Sequence, residues 1–163
     1  MGTIVVGVDG SPTSDAALRW AVAEARLRDS KLRVVHAYQP PRVPLTEAGL
    51  AAGMAVPAVL KDAESLRRAA ETEARDVIEE ALRRAGRDSV EKLEIEKDAV
   101  EGAPAETLIK SAKDAELLVL GSRGRGGFLG LLLGSVSQQC AQHPPCPVVI
   151  LPPPEQAEDS PAG

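Results

Sequence analysis

The segment "ELLVLGSRGRGGFLGLLLGSVSQQCAQH", residues Glu116 to His143, runs from an apolar stretch through a glycine-rich connection into a helical pattern. Between Gly121 and Ser135, six of the fifteen residues are glycine. Glycine loses more conformational entropy on ordering than any other residue, so this density implies left-handed dihedrals or a backbone that something approaches closely. Leu117–Leu120 predicts a strand ending at Gly121, and Ser135 can cap a helix that Pro144 stops. Freed backbone amides followed by a helix N-terminus form an anion site, because the unpaired N–H groups and the helix dipole both favour negative charge. Arg123 and Arg125 can add bidentate contacts to phosphate oxygens, and Ser135 can donate to one. Leu129, Leu131, Leu132 and Leu133 suggest that the connection is packed down onto the protein.

The rest of the chain supplies the frame. "TIVVGV" (Thr3 to Val8) is a β-branched run without polar alternation, as in a strand buried on both faces. Ser11 and Pro12 then suit an N-cap and first helical position, and Ala17, Leu18, Ala21, Val22 and Ala25 share one helical face. "KLRVVHAY" (Lys31 to Tyr38) is a second strand. Residues 39–57, with four prolines, read as a long connection of the kind that serves as a lid, a binding loop or a mobile segment. A helical period from Leu60 to Leu82 predicts a helix over 58–85, closed by Gly86. Val90, Leu93 and Ile95 alternate with charges, which predicts an edge strand over 89–100, and Pro104 opens a short helix. "CPVVIL" (Cys146 to Leu151) is a last strand, and residues 152–163 read as a disordered tail beyond a domain at 1–151.

The order β-α-β-α-β-α-β-α-β predicts the α/β class, with a single doubly wound five-stranded parallel sheet and right-handed crossovers. Ligands bind such sheets beyond the carboxyl ends of the strands, where the strand order reverses. The first and fourth strands end in the two most unusual loops, "DGSPTS" and the glycine loop, so pairing of those strands would bring both loops to that point.

Composition narrows the partners. One Trp, one Tyr and one Phe leave little for base stacking, and a net charge of −5 provides no basic footprint, so nucleic acid is not an expected partner. An anionic ligand must then be held locally. No apolar run approaches the roughly 18 residues of a membrane span, and "MGTIVVGVDG" lacks a charged leader region, so a cytoplasmic protein with reduced thiols is expected. Cys140 and Cys146 read as a core thiol and a loop thiol, with no second pair to build a zinc site.

Two familiar phosphate loops do not fit. A Walker A loop starting at Gly121 would need Lys where Gly127 stands, and a dinucleotide fingerprint starting at Gly124 would need Gly where Leu129 stands. The spacing G-x2-G-x9-G-S, met by Gly121, Gly124, Gly134 and Ser135, does fit another pattern. With "VVGVDGS" near the start, "DAELLVLGSRGRGG" and "CPVVIL", the chain from about Thr3 to Leu151 resembles the universal stress protein family. The resemblance implies a Rossmann-like fold of the adenine nucleotide alpha hydrolase type, and membership of the branch that binds ATP. By position it places Asp9 at the adenosine end, with Gly7 and Ala37 against the base; Val is frequent at the latter position, so the smaller Ala37 leaves the base more room. It places Gly121, Ser122, Arg123, Gly124 and Arg125 at the ribose and triphosphate, closed by Gly134, Ser135 and Val136. A triphosphate would bring magnesium or manganese. The resemblance also implies a homodimer, for which the apolar last strand (Pro147 to Leu151) is the expected surface.

Asp9 has a plainer reading as a turn residue in Asp-Gly-Ser. His36 reads as a core or rim histidine and His143 as a helix-end residue; neither has a carboxylate placed to form a triad, and no metal-ligand spacing is present. No catalytic residue is therefore assigned. The expected function is a cytoplasmic ATP-binding stress-response or signalling module with little or no ATP hydrolysis. Two alternatives stand beside it: a slow ATPase or autophosphorylating enzyme, with Ser122 or Ser135 as acceptor, and a nucleotide-independent interaction scaffold.

Overall fold

Uninterrupted Val, Ile and Leu runs become the inner strands of a sheet, where both faces are covered. In the computed structural model, which describes residues 1–42, 56–125, 130 and 132–154, the strands are β1 (Thr3–Gly7), β2 (Lys31–Tyr38), β3 (Ile95–Glu101), β4 (Leu117–Gly121) and β5 (Val148–Leu151). They form one sheet in the order β3-β2-β1-β4-β5, and every neighbouring pair is parallel. The order reverses between β1 and β4, so the two unusual loops do leave adjacent strands.

The helices are α1 (Pro12–Arg28), α2 (Val56–Ala85), α3 (Arg87–Val90), α4 (Pro104–Ser111) and α5 (Ser135–Gln142). Alternation along the strands divides the core. Ile4 and Val6 of β1 pack with Leu18 of α1 and Ile78 of α2 on one face. Val5 of β1 and Leu118 of β4 pack with Leu108 of α4 and Cys140 of α5 on the other. Each fully buried side chain of this size contributes roughly 1.5–3 kcal/mol, and Ile4, Leu18, Leu32, Ile78 and Leu118 are all of that kind. Cys140 is the expected core thiol and Cys146 is half-buried before β5. Among the described residues, no helix is long and apolar enough to cross a membrane.

Ser11 caps α1 as expected, its hydroxyl accepting from Ser14 N, with Pro12 next. Several boundaries depart from expectation. Val56 and Pro57 belong to α2, not to the preceding connection. Residues 89–94 are not strand. Pairing of β3 begins at Leu32↔Ile95 because β2 itself begins at Lys31. The Glu94 carbonyl still accepts from Leu32 N at 3.0 Å, but residues 89–93 lie beyond the start of β2; Val90 closes the single turn of α3, and Leu93 packs beside it on the core. β5 starts at Val148: Pro147 has no N–H for the ladder, although its carbonyl accepts from Leu118 N at 2.9 Å. The cap of α5 is Gly134 and not Ser135, which is already the first helical residue.

The apolar stripe of α2 is also only partly used. Ala74, Ile78, Ala81 and Leu82 are buried, whereas Leu60 and Leu66 are 58% and 40% exposed. A helix of 30 residues extends about 45 Å, against about 26 Å for the eight residues of β2, so its N-terminal half overshoots the sheet. Residues 152–154 have no regular structure. The rest of the expected tail, and most of the 39–57 connection, lie outside the described residues.

Candidate functional site

The carboxyl ends of β1 and β4 deliver two loops that are stapled together. Asp9, just beyond β1, folds into an Asx turn: its Oδ1 accepts from Ser11 N at 2.9 Å and from Ser11 Oγ at 2.5 Å. Its Oδ2 reaches across and accepts from Arg125 N at 3.0 Å. The turn reading of Asp9 therefore holds, and the same carboxyl also ties the β1 loop to the glycine loop. Burial opposes the charged form of this carboxyl, but the hydrogen bonds from Ser11 and Arg125 outweigh it and hold Asp9 below the usual carboxylate range. On the other side, Thr13 Oγ1 of α1 donates to the carbonyl of Arg123 at 2.5 Å.

The close approach explains two of the glycines. A Cβ on Gly124 would sit 2.5 Å from Asp9 Oδ2. One on Gly121 would sit 2.8 Å from the carbonyl carbon of Thr13 and 3.0 Å from Ser14 N. These are backbone atoms and cannot yield, so β4 can reach the start of α1 only without a side chain there. At the far end of the loop, Gly134 N donates to the Ser122 carbonyl at 2.6 Å, and Ser137 Oγ donates to the same oxygen at 2.9 Å.

Beneath the loop lies a cavity of about 520 Å³, within the usual size range of small-molecule sites. Of the eleven residues singled out by sequence, ten line it: Gly7, Asp9, Ala37, Gly121, Arg123, Gly124, Arg125, Gly134, Ser135 and Val136. Ser122 does not. It points into the protein, 5% exposed, and its hydroxyl has no hydrogen-bond partner among the described residues. Of the two hydroxyls expected near a bound phosphate, Ser135 is therefore at the cavity and Ser122 is not.

The cavity lining is of two chemical kinds. Val35, Ala37, Pro104, Leu108, Leu120 and Val136 contribute apolar surface. The glycine loop, Arg123, Arg125 and Ser135 at the start of α5 contribute amides, charge and a hydroxyl. No side chain caps α5, so the N–H groups of its first turn are left for a ligand or for water. Arg123 Nε is buried with no hydrogen-bond partner among the described residues, an orphaned donor where an anion would be welcome. Arg125 lays its guanidinium against Gly10, whose φ is +79° and where a Cβ would lie 2.9 Å from Nη2.

Sequence reasoning missed Ser14, His36, Pro104, Leu108, Leu133, Ser137 and Gln138 at the wall. Ser137 and Gln138 follow Gly134 at helical spacing and were legible once the cap was known. Pro104 and Leu108 come from α4, which only the tertiary packing brings over. His36 was expected at the core or rim and is at the rim, with Nδ1 2.7 Å from the Val8 carbonyl. A carbonyl can only accept, so Nδ1 carries a proton there. The leucines of the loop do not act together: Leu133 lines the cavity, Leu132 is 88% exposed, and Leu129 and Leu131 lie outside the described residues. Packing-down by the whole run does not hold for Leu132, because the run has no period that would keep its members on one face.

The sequence model of the universal stress protein family matches residues 1–152. The chain belongs to the universal stress protein family. Among relatives, universal stress protein Rv2623 of Mycobacterium tuberculosis is 38% identical over 148 residues, which is 91% of this chain and 46% of that protein. The chain thus spans about half the length of the curated relatives it matches. A universal stress protein solved in complex with cAMP is 31% identical, with a TM-score of 0.62 over 94% of this chain and 98% of that one. The universal stress protein of Archaeoglobus fulgidus, solved in complex with dAMP, shares the fold at 22% identity, with a TM-score of 0.61 over 93% of this chain and 98% of that one.

Proposed function

We propose that this protein binds ATP and acts as a nucleotide-dependent stress-response or signalling module, with little or no hydrolysis. One observation carries the reading: a single cavity is lined both by apolar side chains and by a glycine loop, two arginines and an uncapped helix start. The adenine ring fits between Ala37, Pro104, Leu108 and Val136, and the phosphates fit at Arg123, Gly124, Gly134 and Ser135. The family members solved with cAMP and dAMP support an adenine nucleotide. Magnesium or manganese would arrive on the triphosphate and screen its charge.

The chemistry of Asp9 supports binding over turnover. A general base works best with a pKa near the operating pH, and Asp9 is held below even the ordinary carboxylate range. Both of its oxygens already accept from the chain's own donors. The outer edge of β5, four half-buried apolar residues, supports pairing with a second copy. The two free cysteines support residence in the reducing cytoplasm.

Titration of the purified protein with ATP, and with adenosine, tests the reading. ATP is expected to bind more tightly than adenosine, and to remain intact after overnight incubation with magnesium. Absence of binding by any adenine nucleotide would overturn the proposal, and complete conversion of ATP to ADP would replace it with the enzyme reading.

A further inference from the structure

Three successive peptide planes of the glycine loop are each held by a side chain from a different element. The Ser122 carbonyl accepts from Gly134 N at 2.6 Å and also from Ser137 Oγ of α5 at 2.9 Å, whose one proton is shared with the Gly134 carbonyl at 3.0 Å. The Arg123 carbonyl accepts from Thr13 Oγ1 of α1 at 2.5 Å. The Arg125 N–H donates to Asp9 Oδ2, beyond β1, at 3.0 Å. In a planar trans peptide the C=O of one residue and the N–H of the next point in opposite directions. Holding the carbonyls of Ser122 and Arg123 into the protein therefore turns the N–H groups of Arg123 and Gly124 outward, and neither has an acceptor among the described residues. The third plane is set the other way, its N–H given to Asp9.

The protons can be followed. Ser11 gives its hydroxyl proton to Asp9 Oδ1 at 2.5 Å, and Thr13 gives its own to the Arg123 carbonyl, so the 3.3 Å contact between the two hydroxyls has no proton left to share. Thr13 has one hydroxyl proton and the loop carbonyl takes it. Thr13 and Ser137 are 6% and 3% exposed, so water does not readily replace either bond.

We propose that Thr13 and Ser137 are positioning residues of the anion site: hydroxyls from α1 and α5 lock two peptide planes so that the amides of Arg123 and Gly124 are preset for a phosphate before one arrives. This rests on the nucleotide reading above. A preset amide pair binds better than a mobile one because its ordering entropy is lost on folding and not on binding.

The test compares Thr13→Val, which keeps the shape and removes the donor, and Ser137→Ala with the wild type. Each variant is expected to weaken ATP about fivefold to tenfold, the loss of one modest hydrogen bond's worth of organisation, while leaving adenosine affinity unchanged. Thr13→Ser restores ATP binding. In the ligand-free protein, NMR order parameters of Arg123 and Gly124 are expected to fall from about 0.85 towards 0.6 in the two variants. Equal losses for ATP and adenosine, unchanged ATP affinity, or unchanged order parameters would each overturn the proposal. If the wild type binds neither ligand, the nucleotide reading falls, and the order parameters alone decide: lost rigidity upholds the positioning role and unchanged rigidity removes it.

Discussion

Two helices begin at the same end of the sheet, one after β1 and one after the loop that follows β4, and their caps differ in the side chain they carry. The cap of α1 has φ −79° and ψ 155°; that of α5 has φ −73° and ψ 169°. The backbones are nearly the same, yet Ser11 closes α1 with its own hydroxyl and Asp15 adds negative charge to the first turn, whereas Gly134 leaves α5 with neither. Neither dihedral demands glycine, and a Cβ on Gly134 would meet nothing nearer than 3.5 Å. A capping side chain would fit at Gly134 and is absent. Both helix starts border the cavity, α1 through Ser14 and α5 through Ser135; the first is sealed by the chain's own hydroxyl, and the second keeps its amides and its dipole available.

Substitutions can break or sharpen this contrast. The largest effect on stability is expected from Gly121→Val, whose branched side chain has to displace the backbone of Thr13 and Ser14. A cost of about 3 kcal/mol is expected, read as a lower urea midpoint; an unchanged midpoint would mean that α1 does not press on β4 as described. Ser11→Ala removes the cap of α1 and both of the hydroxyl's contacts, for about 1–2 kcal/mol. It also moves the acid limb. Asp9 is lowered in the fold, so its contribution is present above the unfolded value near 3.8 and is lost as pH falls through the folded one. Without the Ser11 hydroxyl the folded value rises and the contribution shrinks, so the variant's stability should depend less steeply on pH in acid. Equal slopes for the two proteins would remove Ser11 from that role.

The smallest change in stability, and a large one in binding, is expected from Gly134→Asp. A carboxylate at that cap should raise stability by a few tenths of a kcal/mol. The same charge would occupy the amides and repel an anion, so ATP affinity should fall more than tenfold. An unchanged affinity would show that the start of α5 is not part of the anion site.

The fold was largely legible because each inner strand carries its own signal. Lys31 to Tyr38 reads as a strand in any window, and no tertiary contact was needed to end it. Residues 89–94 were misread because alternation of Val90 and Leu93 with charges suits an extended chain as well as a turn; the absent partner strand decided between them. Ser135 was misread as a cap because Ser outranks Gly there in isolation, and the closure of Gly134 N onto the Ser122 carbonyl is a long-range fact. Ser122 sits inside a run of site residues yet faces the core, since strand alternation continues through the loop's first residue.

By itself the sequence determined the five strands and their helices, the glycine spacing, and the two loops that had to meet if β1 and β4 paired. Those features follow from local chemistry: apolar period, proline and glycine placement, and the entropy that glycine spends. The tertiary structure decided the pairing, the apolar lining that α4 contributes to the cavity, and which hydroxyls face the loop. Side chains as distant in sequence as Thr13 and Ser137 bear on adjacent peptide planes only because the parallel sheet puts α1 and α5 at the same end, and no local signal carries that distance.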